Sequence, residues 1–327
     1  MSLAYELEKE ALKGFSTNGK SEKDYRRIIR RSFVPWAKEN GIKRISQVTE
    51  MVIQNYADHL LDKGKSPNTI HTYIAPICKA VHIDMDRIEK PKRNSGSITR
   101  GRGGKKGERG RKEAEKERNA RIVTAARAIG IRKDEYRRLR GRDLIEGKDG
   151  YLYVFVSKGK GGKRHWQRIL PSHEAEVREL FKGIAPKQHV FTREEIKNAE
   201  KINIHGYRAE LAKEAYTYYA NRIATEPGYR EVLKGELLKY FEEENIKSVV
   251  NKEEPSTFNA KAYEKAYRCF CSEMERSEIY HTRTDNKNRC IEKGLPTEYD
   301  RVALLAASVF HLSHWRTNVA VTNYVTA

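Results

Sequence analysis

The sequence predicts a mainly α protein with a small antiparallel β-sheet, laid out as two folded units joined by a basic linker. Three observations carry that prediction. Apolar residues recur at helical spacing from residue 21 to residue 81, and again from residue 119 onward. One window, residues 151–156, alternates with a period of two and runs into a Lys/Gly tip, as a β-hairpin does. Between the two units, residues 91–118 hold eleven Lys/Arg and four Asp/Glu, many Gly and almost no apolar side chain. A length of 327 residues suits two or three domains, so the divisions fall at 1–90, 91–118 and 119–327.

The first unit reads as a bundle of short helices, compact over about residues 14–87. Ser21 caps a helix carrying Tyr25, Ile28, Ile29, Phe33 and Trp36, which Pro35 bends or ends and Gly41 closes. Thr49 opens a second helix, with Val52, Ile53, Tyr56, Leu60 and Leu61 on its apolar side and Gly64 as its stop. Ser66-Pro67 is a cap followed by proline at the first helical position, ahead of the stripe Ile70, Tyr73, Ile74, Ile77, Cys78 and Val81. In the second unit, NARIVTAARAIGI is a helix and KDEYRRLRGRDLI a further short one. GYLYVFVSKGKGGKRHWQRILP is the hairpin, with Leu152, Val154 and Val156 facing one way and Tyr151, Tyr153 and Phe155 the other. After Ser172 the helical pattern returns, and about 209–300 is a long polar stretch, mostly helical.

Composition narrows the function. The chain carries 65 Lys+Arg against 45 Asp+Glu, a net charge of +20, which points to a polyanionic partner, nucleic acid first. Mean hydropathy is −0.81, and no stretch approaches the roughly 18 apolar residues of a membrane span, so no membrane role is expected. The start, MSLAYELEKEALKG, lacks the apolar run of a secretory signal, and four Cys are too few for a disulfide scaffold. A reducing cytoplasm is the expected compartment.

Several short stretches hold the side chains that phosphate chemistry uses. GIRKDEYRRL brings Arg132 just after a glycine, with Glu135 three residues on. SKGKGGK places Lys158, Lys160 and Lys163 at the hairpin tip. IHGYR sets His205 and Arg208 three apart, on one face of a helical turn. HLSHWRTNVAVTNYV puts His314 ten residues before Tyr324.

These stretches, in this order behind a basic helical unit, resemble the tyrosine recombinases, the integrases of phages and mobile elements. The resemblance covers most of the chain. SPNTIHTY resembles the turn of the SAM-like core-binding domain, GIRKDEYRRLRGRDL the first catalytic box, GKGGK the lysine-bearing turn, HGYR the H-x-x-R box, and LSH followed by Tyr the LGH–Tyr box. The resemblance implies a helical core-binding domain followed by a mixed α/β catalytic domain, gripping double-stranded DNA between them. It implies Tyr324 as the nucleophile, Arg132 and Arg208 as a clamp on the non-bridging phosphate oxygens, His205 as a hydrogen-bond partner and base, and His314 as a donor to an oxygen of the same phosphate. A tip lysine, Lys160 by alignment, would protonate the leaving 5′-hydroxyl. Glu135 would support the site without bond chemistry. The intermediate would be a 3′-phosphotyrosine, with no metal or other cofactor. A homo-tetramer on two DNA segments and an accessory directionality factor are the implied partners. Lys65, Arg100, Arg102, Lys105 and Lys106 are the candidate contacts to the DNA backbone. A type IB topoisomerase and a non-catalytic DNA-binding protein are the alternatives.

The sequence departs from the family pattern in four ways. Ser313 replaces the glycine of LGH. The second hairpin arm is long. Leu312 lies 104 positions after Arg208, which predicts an insertion at about 209–300. Only three residues follow Tyr324, so subunit contacts are expected to come from elsewhere, the insertion among them. Cys269, Cys271, His281 and Cys290 do not follow a strong zinc spacing and read as ordinary thiols and a histidine. Tyr216, Tyr218 and Tyr219 read as packing residues, and His311 as packed or exposed rather than catalytic.

Overall fold

The computed structural model describes residues 1–15, 19–93, 119–159, 164–199, 202–245, 260–315 and 317–325. The chain divides into two compact units, Met1–Ile98 and Thr99–Ala327. Both are built chiefly of helices. The second also holds a three-stranded and a two-stranded antiparallel sheet, so the predicted class, mainly α with a small antiparallel sheet, stands.

The first unit comprises α1 (Leu3–Ala11), α2 (Lys20–Ile28), α3 (Val34–Glu39), α4 (Glu50–Asp62) and α5 (Pro67–Ala80). Helix α1 corrects the predicted start at residue 14: Leu3, Leu7 and Ala11 form one buried face. Its Glu8 is buried as well and receives Arg26 at 2.7 Å, together with Arg30. The second helix begins at Lys20, capped by Gly19, rather than at Ser21. Pro35 does not end the helical run. Residues Ile29–Phe33 widen into a π-helical turn, and the run continues to Glu39. Proline has no N–H for the carbonyl four residues back, and its ring crowds that carbonyl, so a wider turn just ahead accommodates it. The other boundaries fall where the caps predict. Thr49 accepts from the Val52 N–H at 3.4 Å, Ser66 from that of Thr69 at 3.3 Å, and Gly41 and Gly64 take φ of +76° and +65°.

In the second unit α6 (Ala120–Ala128) buries Ile122, Val123 and Ala126. Helix α7 (Lys133–Tyr136) is a single turn, and the longer helix predicted over KDEYRRLRGRDLI stops there. Gly141 lies against the carbonyls of Ile184 and Ala185 with no room for a Cβ, and its N–H bonds Gln188 at 3.0 Å. The backbone therefore turns into a strand, β1 (Leu144–Glu146), which pairs with β2 (Leu152–Val156), which in turn pairs with β3 (His165–Arg168). Leu152, Val154 and Val156 face one core with Ile122 and Tyr136, whereas Tyr153 joins another with Tyr219 and Phe310.

Then follow α8 (Glu174–Phe181), α9 (Arg193–Asn198), α10 (Ile204–Thr225), α11 (Tyr229–Asn245), α12 (Ala260–Glu275), β4 (Ile279–His281), α13 (Thr284–Glu292), β5 (Glu298–Asp300), α14 (Arg301–Leu312) and α15 (Thr317–Ala320), with a π-helical turn at Val321–Val325. The predicted insertion is not a separate appendage. Its expected start, residue 209, falls inside α10, and it contains an unpredicted hairpin-like pair, β4 and β5, in which Tyr280 faces Tyr299. Helix α11 is anchored to the sheet through Arg168, which reaches Glu236 at 2.7 Å and Asp149 at 3.3 Å. The same guanidinium lies between the rings of Tyr151 and Phe310. Every residue of α14 is buried, which fits its all-round apolar sequence. No helix among the described residues is long and apolar enough to cross a membrane.

Candidate active site

Four chain segments meet around Arg208. The first is the turn after α6, where Gly130 adopts φ +68° and a Cβ would run into the side chain of Leu211. That turn aims the Gly130 carbonyl at Arg208 and starts α7 at Arg132. Glu135 closes the turn: one of its oxygens accepts from the Arg132 N–H at 2.6 Å and the other from the Arg132 guanidinium at 3.1 Å. Glu135 is buried, whereas the Arg132 side chain is 21% exposed.

The second segment is the first turns of α10. Asn203 caps it, accepting from the Gly206 N–H at 3.0 Å. His205 is exposed in the first turn, and Arg208 follows one turn later with only 1% of its surface open. Arg208 donates one Nη to the Gly130 carbonyl and the other to the Leu312 carbonyl. Its Nε has no hydrogen-bond partner among the described residues. Burial holds this guanidinium below the usual arginine range. Tyr324 and Glu135 act in the opposite direction, while the like charge of Arg132 adds to the lowering. Arginine still stays charged at any working pH.

The third segment is the end of α14. Ser313 takes the left-handed conformation (φ +54°, ψ +40°), where the family pattern has glycine. That conformation turns the chain so that the His314 N–H returns to the Ser308 carbonyl at 3.0 Å, while Ser308 Oγ donates to the His314 carbonyl at 2.8 Å. Gln167, fully buried on β3, locks this turn from below. It donates to the His311 carbonyl and accepts from Ser313 Oγ at 3.2 Å. Gln167 belongs to none of the sequence motifs. Its signal was a polar side chain in register with the inward-facing Val154. We expect Ser313→Gly to raise stability by about 0.5–1 kcal/mol, because a left-handed backbone strains any L side chain. Thermal unfolding should then rise by about 1–4 °C; a lower midpoint would show that the Ser313–Gln167 bond outweighs the strain.

The fourth segment is the C-terminal turn, which lays the Tyr324 ring 5.5 Å from the Arg208 guanidinium carbon and 5.8 Å, centroid to centroid, from the His314 ring. The Arg208 charge thus lies over the Tyr324 ring. Tyr324 is 7% exposed, in a cluster with Ala209, Ala212, Leu312 and Val321.

The structure therefore brings Arg132, Glu135, Arg208, His314 and Tyr324 together. His205 lies at the exposed start of the same helix. Lys160 and Lys163, and the linker residues Arg100, Arg102, Lys105 and Lys106, lie outside the described residues. Lys65 is exposed in the first unit, where its N–H closes α4 on the Leu60 carbonyl at 3.0 Å. The rejected histidine, His311, is fully buried, and its ring lies 3.0 Å from the Tyr219 hydroxyl. Burial and the Arg168 charge push it down to about 3. An unfolded histidine titrates near 6.5, so below that pH the unfolded chain takes up a proton that the folded one refuses. Stability is thus unaffected above pH 6.5 and falls as the pH drops from there toward 3. At pH 5 the loss is about 2 kcal/mol. Thermal unfolding at pH 7.5 and 5.0 should show it, and an identical midpoint at both would contradict it.

Elsewhere on this unit a cavity of about 750 Å³ is lined by Arg137, Lys187, His189, Arg193 and Lys197 around Phe191, with no carboxylate in its wall. Cys269, Cys271 and Cys290 are free thiols. Among the described residues no group of three or more His, Cys, Asp or Glu is placed to hold a metal ion.

No family model matches the chain. No curated protein matches it. Among solved structures, one match is described as the crystal structure of XerA recombinase: 14% identical, covering 65% of this chain and 83% of that one, with a TM-score of 0.23. This is a weak structural likeness to a recombinase, and at that score it carries no argument about family or activity.

Proposed function

We propose that the chain is a site-specific DNA recombinase or integrase, which cleaves and rejoins strands through a 3′-phosphotyrosine and integrates or excises a mobile element. One observation carries this reading: a phenol ring 5.5 Å from a fully buried arginine whose Nε has no hydrogen-bond partner among the described residues. A buried, unpaired donor is costly, and a tetrahedral anion entering beside Tyr324 would satisfy it. In the reaction the Tyr324 phenol gives up its proton, with His205 as the base, and its oxygen forms a bond to the scissile phosphorus as the bond to the 5′-oxygen breaks. Arg208 and Arg132 hold the non-bridging oxygens where charge builds up. His314 donates to one of them, His205 assists, and a tip lysine, Lys160, supplies the proton to the leaving 5′-oxygen. The ester conserves the bond, so a 5′-hydroxyl from the same or another strand can reverse the step with no external energy source.

Residues 1–90 serve in this reading as a DNA-binding unit, 91–118 as a basic tether and 119–327 as the catalytic unit. The net charge of +20 and the carboxylate-free basic cavity support a phosphate-rich partner. A homo-tetramer on two DNA segments, joined by an accessory directionality factor, is the proposed assembly. The test is a duplex nicked near the bound site, so that the freed strand end diffuses away and traps the ester. A denaturation-resistant protein–DNA adduct attached at Tyr324 supports the reading. DNA binding without any adduct would favour a non-catalytic binding protein, and relaxation of supercoils without strand exchange a topoisomerase.

A further inference from the structure

The segment that carries Tyr324 is short: one α-turn, α15, followed by the π-helical turn Val321–Val325. A helix of that length has no stability of its own, so its placement must come from what touches it. Below it lie Ala209 and Ala212 of α10, small side chains whose apolar contact is non-directional. Direction comes from the predicted insertion. Thr317, fully buried at the start of α15, donates its hydroxyl to Glu273 on α12. That carboxylate is itself held by Arg276 at 3.2 Å and faced by Arg301 at 3.7 Å. Five residues further along, Thr322 accepts at 3.0 Å from Nδ2 of Asn286, a buried residue on α13. Thr322 precedes Tyr324 by two positions. Between these two tethers, Tyr280 of β4 and Tyr299 of β5 close the same cluster as Val321 and Tyr324.

Packing alone would not call for this arrangement. Asn286 buries its Oδ1 with no partner among the described residues, a cost that an apolar side chain would avoid. What the amide adds is a fixed register of the terminal turn.

We propose that the α12–α13 element is a clasp for the terminal segment, with Glu273 and Asn286 as positioning residues that set the Tyr324 ring against Arg208. The role rests on Tyr324 being the nucleophile. In-line attack needs the phenol oxygen placed to within a fraction of an ångström, and a turn free to slide on alanines would lose that placement.

The decisive variants are Thr322→Val, which keeps the shape and removes the acceptor, Thr322→Ser, which keeps the acceptor, and Asn286→Ala. Two readouts are taken on the full chain: the rate of adduct formation on the nicked duplex, and amide hydrogen exchange. Thr322→Val and Asn286→Ala should each slow adduct formation about tenfold. DNA affinity should stay unchanged, and the double variant should lose no more than either single one. Thr322→Ser should stay within about twofold of the unaltered protein. Exchange over 317–325 should quicken in the first two variants, while protection of Arg301–Leu312 stays as it was. A full cleavage rate in Thr322→Val, or a Thr322→Ser variant as slow as Thr322→Val, overturns the clasp. If the unaltered protein forms no adduct, the nucleophile reading falls on its own. The exchange data then judge the clasp separately, and unchanged protection over 317–325 in Thr322→Val refutes it.

Discussion

Tyr324→Phe is expected to abolish the covalent adduct, by about 10⁴-fold or more, because no other atom of that side chain can form the ester. The ring itself stays, still 7% exposed within its cluster, so stability should move by no more than about 1 kcal/mol, the worth of one hydroxyl's hydrogen bonding. DNA affinity should be retained, since a single hydroxyl contributes little beside a field of fixed cations. The measurement is a denaturing gel of the trapped complex beside a binding titration at one salt concentration. An adduct of undiminished yield in the variant would move the nucleophile to another tyrosine and empty the proposed site of its central group.

The second large effect separates the two arginines. Arg208→Ala removes a guanidinium that ties the carbonyl of Gly130 to that of Leu312, and it leaves both oxygens buried without their donor. We expect a stability loss of about 3–5 kcal/mol, or of the order of 10 °C in the unfolding midpoint, together with a fall in cleavage of about 10³-fold or more. Arg208→Lys keeps the charge but cannot span both carbonyls, so it should restore little of either. Arg132→Ala is different. Its side chain is partly exposed, and the Arg132 N–H keeps its 2.6 Å bond to Glu135. Cleavage should still fall by about 10²–10³-fold, but stability by only about 1 kcal/mol. Parallel thermal unfolding and adduct kinetics decide the matter. An Arg208→Ala protein that melts like the unaltered one would contradict the buried tie, and an Arg132→Ala protein that cleaves normally would remove Arg132 from the reaction.

What the sequence disclosed was mostly local. The caps at Thr49 and Ser66 act over three residues, so spacing alone revealed them, whereas Glu135 was marked only by its place in the first box. The burial of Arg208 was not legible, because its partners lie 78 and 104 positions away. Strands β4 and β5, three residues each, are too short to show alternation, so they do not stand out in a stretch that reads as mostly helical. Helix α1 was passed over although Leu3, Leu7 and Ala11 keep helical spacing, because their neighbours are charged and the segment was weighed only as a possible leader. His311 and His314 were told apart by the Leu-Ser-His pattern. The physical difference is that His311 lies in the wholly buried part of α14, while His314 follows the turn at Ser313.

The tie through Arg208 also bears on how this unit comes into being on the ribosome. Gly130 and Arg208 are made well before the carbonyl of Leu312 and the ring of Tyr324, which lie 104 and 116 positions after Arg208. Loops this long close slowly, and the buried cation is fully lodged only once they have closed. The last step in lodging this buried cation therefore waits until the polypeptide has been made through residue 324, so the arginine tie closes late in the folding of this unit.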